Sequence, residues 1–413
     1  MLQTSFTSQH GSPGVVTQEQ RALIINAKPQ QVAAALAREP GFVWLDSAVA
    51  GRGSVSHLTA RPVGFLEGNL QADWVSVESV LAARQGQAGG LYGWVGYDGC
   101  FRLGIYDGIL RFDHDSGQWS SGLPWLNELE SAEVPPRSPL AFVPQVSKAD
   151  YMAAVSRAQD YITAGDIYQV NLSHPWKARW PDGGHELAMY LQLRQVSPAP
   201  HAAFMALGGT SVFSASPELF LRMEGPVIST RPIKGTRPRF PDDPEKDAAS
   251  ARELPLCEKE RAELLMITDL ERNDLGQVCE FGSVLTPDLW RVESFAQVYH
   301  LVSTVTGILR PGISHAAAFK ACFPGGSISG APKKRALEII AELEKHPRGL
   351  YTGAIGYFGF DGTSQWNIAI RTAVKHGDEV TFHAGSGIVA DSVPEREWEE
   401  TLHKASGILR AWG

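Results

Sequence analysis

The chain has 413 residues, 43% of them hydrophobic, with 11 Trp, 17 Phe and 10 Tyr; that is enough apolar material for a large core and excludes global disorder. Lys plus Arg total 37 against 45 Asp plus Glu, a net charge of −8 without any basic run, which argues against a nucleic-acid surface. Four Cys without CxxC spacing argue against a disulfide framework or structural zinc, no apolar run approaches the roughly 18 residues of a membrane span, and the opening MLQTSFTSQHGSPG lacks the basic and apolar regions of a signal peptide, so the expected setting is the cytoplasm.

Residues 1–133 alternate short apolar stretches with Gly-rich turns such as Gly89–Gly99 and read mostly as β. Residues 134–144, VPPRSPLAFVP, hold four prolines in eleven positions, which forbids a regular helix and marks a connector. Residues 145–413 follow as the second part. Ser147 caps a helix with Asp150 at its third position, and Gly165 ends it. The segment 167–173, IYQVNLS, alternates as a strand, with Gln169 and Asn171 on one face and Tyr168, Val170 and Leu172 on the other. FMALGG and TSVFSAS are further strands. A helix is expected over about 247–273 and another from Pro332; three strands then lead to a helix over about 393–411, where Ser392 and Glu395 form a capping box.

Several groups of residues could carry chemistry. Glu260 with Glu263, and Glu397 with Glu400, are carboxylate pairs three apart on helices, so each pair shares a face. They are either solvated faces or, brought together, oxygen ligands for Mg²⁺. FPGGSISGAPKKRALEII (323–340) is a Gly-rich loop entering a helix; it is a tight turn or an anion cradle, and it is not a P-loop because Ala331-Pro332 stand where Lys and Ser/Thr are required. Lys234, in RPIKGTRPR, is a surface lysine at a strand end or a desolvated nucleophile. Glu218, just after a strand, is a loop acid or a general acid. No G-x-S-x-G and no G-x-C-x-G occurs, so hydrolase and glutaminase nucleophiles are absent, and no GxGxxG follows a strand.

The ordered series SPELF, PIKGTRPR, EKERAELLMITDLERNDLG, VYHLVSTV, FPGGSISGAPKKRA, RGLYTGAIGY, AIRTA and AGSGIVADSVPEREWEET resembles the chorismate-utilising enzymes, continuously over about 147–410. The likeness is weaker in Trp44–Ala48, similar to a stretch lining a tryptophan site, and in Gly89–Asp98. The resemblance implies an α/β (α+β) fold, two large mostly antiparallel sheets packed as a sandwich with surrounding helices and the site between them, residues 1–133 contributing to the same sandwich. Where the water-adding isochorismate and salicylate branch carries Lys, this chain has Gln169. Where the anthranilate branch reads PIAGT, it has Lys234 in PIKGT. That form resembles aminodeoxychorismate synthase component I, with the anthranilate branch as the alternative.

The resemblance further implies Lys234 as covalent nucleophile and Glu218 as acid. Glu263 and Glu400 would hold Mg²⁺, with Glu260 and Glu397 as second ligands or through water. Tyr351, Arg371 and the backbone near Gly385 and Gly387 would bind the enolpyruvyl carboxylate. Thr236, His300, Ser327 and Lys404 match further site positions. Ammonia, free or from a separate glutamine amidotransferase subunit, would be the nitrogen source.

Overall fold

His201–Leu207 shows how one sequence register builds two layers. Ala202 and Phe204 pack outward, against a core that includes Leu187, Tyr190 and Trp412. Ala203, Met205 and Leu207 pack inward with Tyr92, Tyr106 and Ile355 of a second sheet. A strand buried on both faces is apolar throughout, and period-2 alternation sorts its side chains between the layers.

The computed structural model describes residues 27–49, 54–120, 122–126, 132–134, 136, 138–295 and 298–413. The opening MLQTSFTSQHGSPG and parts of the proline-rich connector, Pro135 and Arg137 among them, lie outside the described residues. The first sheet has eleven strands. In spatial order they run Gly330–Ala331, Gln169–Arg179, Glu379–Ile388, Thr372–His376, Thr210–Ser216, His201–Leu207, Val43–Asp46, Val55–Thr59, Leu110–Asp113 and Gln118–Ser120, with Val143–Pro144 pairing to Gln169–Arg179. The second has ten, in the order Ile233–Pro238, Val298–Ile308, Val227–Arg231, Leu219–Glu224, Thr363–Ile368, Ala354–Gly359, Gly90–Val95, Cys100–Tyr106 and Gly64–Asn69, with Leu285–Ser294 pairing to Val298–Ile308. The paired strands are antiparallel. Strands before the connector enter both sheets: Trp44 registers with Phe204 and Gly93 with Gly356.

Helices cover the outer faces. Pro29–Leu36, Glu186–Val196 and Pro394–Trp412 pack on the first sheet, and Trp74–Ala83 and His315–Cys322 on the second. Lys148–Thr163 and Lys333–Leu343 close over Gln169–Arg179. No helix among the described residues is long and apolar enough to cross a membrane.

Four local expectations are corrected. The helix expected over 247–273 is two, Pro244–Glu253 and Glu258–Gly276, joined by the 3₁₀ turn Leu254–Leu256, because Pro255 has no N–H to continue the ladder. The final helix begins at Pro394 behind Val393, and Ser392, one residue too early to cap it, accepts the Val389 N–H at 3.1 Å instead. The helix after the Gly-rich loop starts at Lys333, with Pro332 just outside it. Tyr168, expected beside Val170 and Leu172, precedes the strand and is 72% exposed. The Ser147 cap forms, accepting the Asp150 N–H at 3.1 Å.

Candidate active site

Lys234 lies on Ile233–Pro238, the edge strand of the second sheet, in register with Leu301. The register shifts between Lys234 and Thr236, with Gly235 at φ 73°. A Cβ there would lie 3.0 Å from Glu260 Oε2 and 2.9 Å from Leu254 Cδ1, so the bulge needs glycine for its backbone angle and for the approach of the helix. The bulge sets Lys234 against Glu258–Gly276, its Nζ 4.0 Å from Glu263 Oε2. Across from it, a Cβ on Gly387 of the first sheet would sit 3.7 Å from Lys234 Nζ and 2.6 Å from Gln169 Nε2. The two sheets therefore meet at Lys234, with Gln169 beside it and its Oε1 buried without a partner.

Glu218 is buried, and its Oε1 has no partner. Burial raises its carboxyl above the usual range, opposed by the nearby Ser327 hydroxyl and by Lys234 and Lys404. A buried carboxyl held toward its protonated form beside a lysine is suited to give a proton. Ser327, in the turn Gly326–Ile328, is buried with Oγ also unpartnered.

The four helix acids are each in a different setting. Glu263 is raised by burial, with Glu260 and Glu400 adding to the rise and Lys234 opposing it. Glu260 Oε1 is 3.6 Å from Arg237 Nη1. Glu400 Oε1 is 2.6 Å from Lys404 Nζ; burial alone would raise its carboxyl, but Lys404, Lys234 and Lys259 bring it below the usual range. Glu397 is buried with Oε2 unpartnered. Among the described residues no three acidic, His or Cys side chains form a ready metal cage. Three of the acids instead face basic side chains.

Arg371 sits at φ 49°, unusual for a residue with a Cβ. Its guanidinium is buried enough to be pushed below its ordinary value and has no hydrogen bond or ion pair among the described residues. A guanidinium without a counter-charge is free to take an anion as a fork. It is close enough to His300 to add to the burial that lowers that ring to about 4, so His300 is neutral at pH 7. His300 Nδ1 is 3.1 Å from Thr236 Oγ1 and 3.4 Å from the Gly235 carbonyl. Tyr351, its phenol raised by burial, stacks on His383 at 5.2 Å, on the strand that carries Gly385 and Gly387. Gly385 pairs with Ser173, where a Cβ would fall 2.3 Å from the Leu172 carbonyl oxygen; its own carbonyl accepts Lys404 Nζ at 3.0 Å.

Lys234, Glu218, Glu263, Glu260, Glu400, Lys404 and Ser327 thus form one electrostatically linked group, with Gly387, Thr236, His300 and Arg371 beside it. Tyr351 and Glu397 adjoin it through Tyr151, whose hydroxyl is 3.0 Å from Ser386 Oγ. Sequence reasoning missed Arg348. This buried residue donates to Glu344 at 2.7 Å and to the Asn171 carbonyl at 2.7 Å, and so ties Gln169–Arg179 to the segment bearing Tyr351. The signal was present as Glu344 and Arg348 at i, i+4, within a stretch that does not look helical.

A cavity of about 860 Å³ lies behind Glu218 and Lys234, lined by their neighbours Pro217, Leu219 and Ile233 rather than by the acid and amine. Leu45 and Ser47 also line it, whereas Asp46 turns outward to Arg194 at 2.6 Å.

Residues 70–410 match the family model described as chorismate binding enzyme. The chain belongs to the chorismate binding enzyme family. Proteins of two names are among its relatives. Anthranilate synthase component 1 of Streptomyces coelicolor is 47% identical over 271 residues, 64% of this chain and 52% of that protein. Aminodeoxychorismate synthase component 1 of Bacillus subtilis is 42% identical over 290 residues, 70% of this chain and 61% of that one. The match thus spans little more than half the length of these relatives. The crystal structure of anthranilate synthase component I from Streptococcus pneumoniae TIGR4 superposes with a TM-score of 0.78 at 29% identity, covering 87% of this chain and 93% of that one.

Proposed function

We propose that the chain is an aminodeoxychorismate synthase component I, aminating chorismate with ammonia to 4-amino-4-deoxychorismate on the way to 4-aminobenzoate and folate, in the cytoplasm. The observation that carries this reading is Lys234: an amine between Glu263 and the bare backbone of Gly387, with Gln169 in place of a base for water.

Direct replacement of the ring 4-hydroxyl would require attack at the carbon that hydroxide leaves. Lys234 divides the reaction into two allylic displacements. In the first, the free amine forms a bond to ring carbon 2, the double bond shifts, and the carbon 4–oxygen bond breaks as Glu218 gives its proton to the departing hydroxyl, releasing water. In the second, ammonia forms a bond to carbon 4, the double bond shifts back, and the bond to Lys234 Nζ breaks, with net retention. The amine must first give its proton to solvent, so the pairing with Glu263 has to open before attack; the ammonium formed at carbon 4 then returns a proton to Glu218, which restores the acid. The unpaired Arg371 guanidinium would take the enolpyruvyl carboxylate as a fork, with the Tyr351 hydroxyl and the backbone near Gly385 and Gly387.

The acids fit Mg²⁺: burial and crowding by Glu260 and Glu400 strain Glu263 toward protonation, and Glu397 Oε2 is left without a partner. Glu263 and Glu400 would hold the ion, with Glu260 and Glu397 as second ligands or through water, and it would supply positive charge for the ring carboxylate. Nitrogen would come from free ammonia or from a separate glutamine amidotransferase subunit. The anthranilate synthase reading is favoured by the name of the Streptomyces coelicolor relative. Incubation with chorismate, Mg²⁺ and ammonium decides between them: 4-amino-4-deoxychorismate is expected, and fluorescent anthranilate as the product would overturn the reading.

A further inference from the structure

A buried acid outside the group above lies against the Gly326–Ile328 turn. Glu271 is 2% exposed. On Glu258–Gly276 it follows Glu260, Glu263 and Ile267 along one stripe, which leads from the acid pair into the core. Its Oε1 accepts the Gly326 N–H at 3.1 Å, and its Oε2 has no partner. The nearest cation is already committed: Lys333 Nζ donates to Asp274 at 2.5 Å and to the carbonyls of Pro324 at 2.8 Å and Cys322 at 3.1 Å, which uses all three ammonium donors. A charged carboxylate in this position would be buried and unpaired, a costly state that a carboxyl avoids by keeping its proton. The residue after Gly326 is Ser327, whose unpartnered hydroxyl neighbours the equally unpartnered Glu218 Oε1.

We propose that Glu271 is a positioning residue for Glu218: by pinning the Gly326 N–H it fixes the turn that presents the Ser327 hydroxyl to the acid. The proposal rests on the reading of Glu218 as the proton donor. The groups facing Glu271 are Asp274 on its own helix, Glu218 ahead of Leu219–Glu224, Lys333 at the head of Lys333–Leu343, and Cys322 at the end of His315–Cys322. Burial, Asp274 and Glu218 push the Glu271 carboxyl up to about 8, against Lys333 and the Gly326 N–H. Above that pH the ionised group adds a negative charge near Glu218, which makes Glu218 a more reluctant donor, so turnover falls.

The experiment compares wild type, Glu271→Gln, Glu271→Ala and Glu218→Gln in kcat for amination at saturating ammonium between pH 6 and 9.5. Glutamine keeps an acceptor for Gly326 but cannot ionise. Glu271→Gln should hold kcat within about 3-fold of wild type at pH 7 and lose the fall near pH 8, while Glu271→Ala should lose roughly 10-fold or more at every pH. Infrared spectra provide a readout that needs no substrate: a protonated-carboxyl band at pH 7 that disappears near pH 8 and is missing in Glu271→Gln. An unchanged alkaline limb in Glu271→Gln, an Ala variant as active as the Gln variant, or no such band would overturn the proposal. Wild-type activity in Glu218→Gln would instead overturn the reading of Glu218 itself, and with it this one. If Glu271→Ala does not fold, the Gln variant and the spectra decide.

Discussion

Lys234 Nζ stands 4.0 Å from Glu263 Oε2, so the amine assigned to attack and an acid assigned to the metal hold each other before substrate arrives. Lys234 and Glu263 therefore have to separate before the amine can attack; Glu263 would then be free to hold Mg²⁺ with Glu400, an ion that would supply positive charge for the ring carboxylate.

It follows that Glu263→Gln and Glu400→Gln should each lower chorismate turnover by about 10²-fold or more, equivalent to about 2.7 kcal/mol in the barrier. Initial rates over a Mg²⁺ titration test this; near-wild-type rates at saturating Mg²⁺ would remove both residues from the metal site. Because Lys234 and Lys404 face these acids and Arg237 faces Glu260, Mg²⁺ binding measured calorimetrically should be weak without chorismate and tighten with it.

Gly387→Ala would place a Cβ 2.6 Å from Gln169 Nε2 and 3.7 Å from Lys234 Nζ. Gln169, or the strand carrying Gly387, must then shift beside the amine. A displacement of about 1 Å at a reacting group can cost roughly 10²-fold in rate, so kcat should fall steeply while the thermal midpoint changes little. An unaffected kcat would show that the gap between Gly387 and Lys234 does not need to be clear.

Arg371→Lys should not rescue binding. Charged hydrogen bonds contribute about 1.5–3 kcal/mol, and a lysine cannot reproduce the fork, so KM for chorismate should rise by roughly 10- to 100-fold in both the Lys and Ala variants. Steady-state kinetics test this; a Lys variant with wild-type KM would mean that point charge alone suffices.

Stability should report on Glu271. Its carboxyl is held at about 8 in the folded chain, above the ordinary carboxylate range. Between those limits the folded chain keeps a proton that the unfolded chain has lost, so stability falls as pH rises through the window and levels off above it. Glu271→Gln removes that loss. Its stability relative to wild type should climb by a few kcal/mol from about pH 5 to pH 8 and then stay constant, as read by denaturant midpoints.

Much of this arrangement could be read from the sequence because the informative residues sit in short ordered motifs: Lys234 stands out in RPIKGTRPR, and two ExxE pairs mark helix faces, whereas the bulge at Gly235 is not legible there and appears only in the strand register. The two-sheet sandwich came through resemblance and not through periodicity: the strand His201–Leu207 is legible in FMALGG, but because it is apolar on both faces nothing in its pattern tells which side chains meet the helices and which the second sheet. Three features were not legible. Pro255 splits a helix whose amphipathic pattern runs on past it. Ser392 has the capping spacing but bonds Val389, because the chain turns one residue later than the pattern suggests. Glu271 reads as one more acid in a charged helix; only the three-dimensional commitment of Lys333 to Asp274 and two carbonyls shows that it has no counter-charge.

The central claim, a covalent step through Lys234, is tested most directly by mass spectrometry of the protein after exposure to a chorismate analogue that slows the second displacement. An added mass on the peptide containing Lys234, abolished in Lys234→Ala along with amination at ring carbon 4 while the fold is retained, is the predicted result. An adduct on another residue, or anthranilate formation by the unmodified chain, would contradict it.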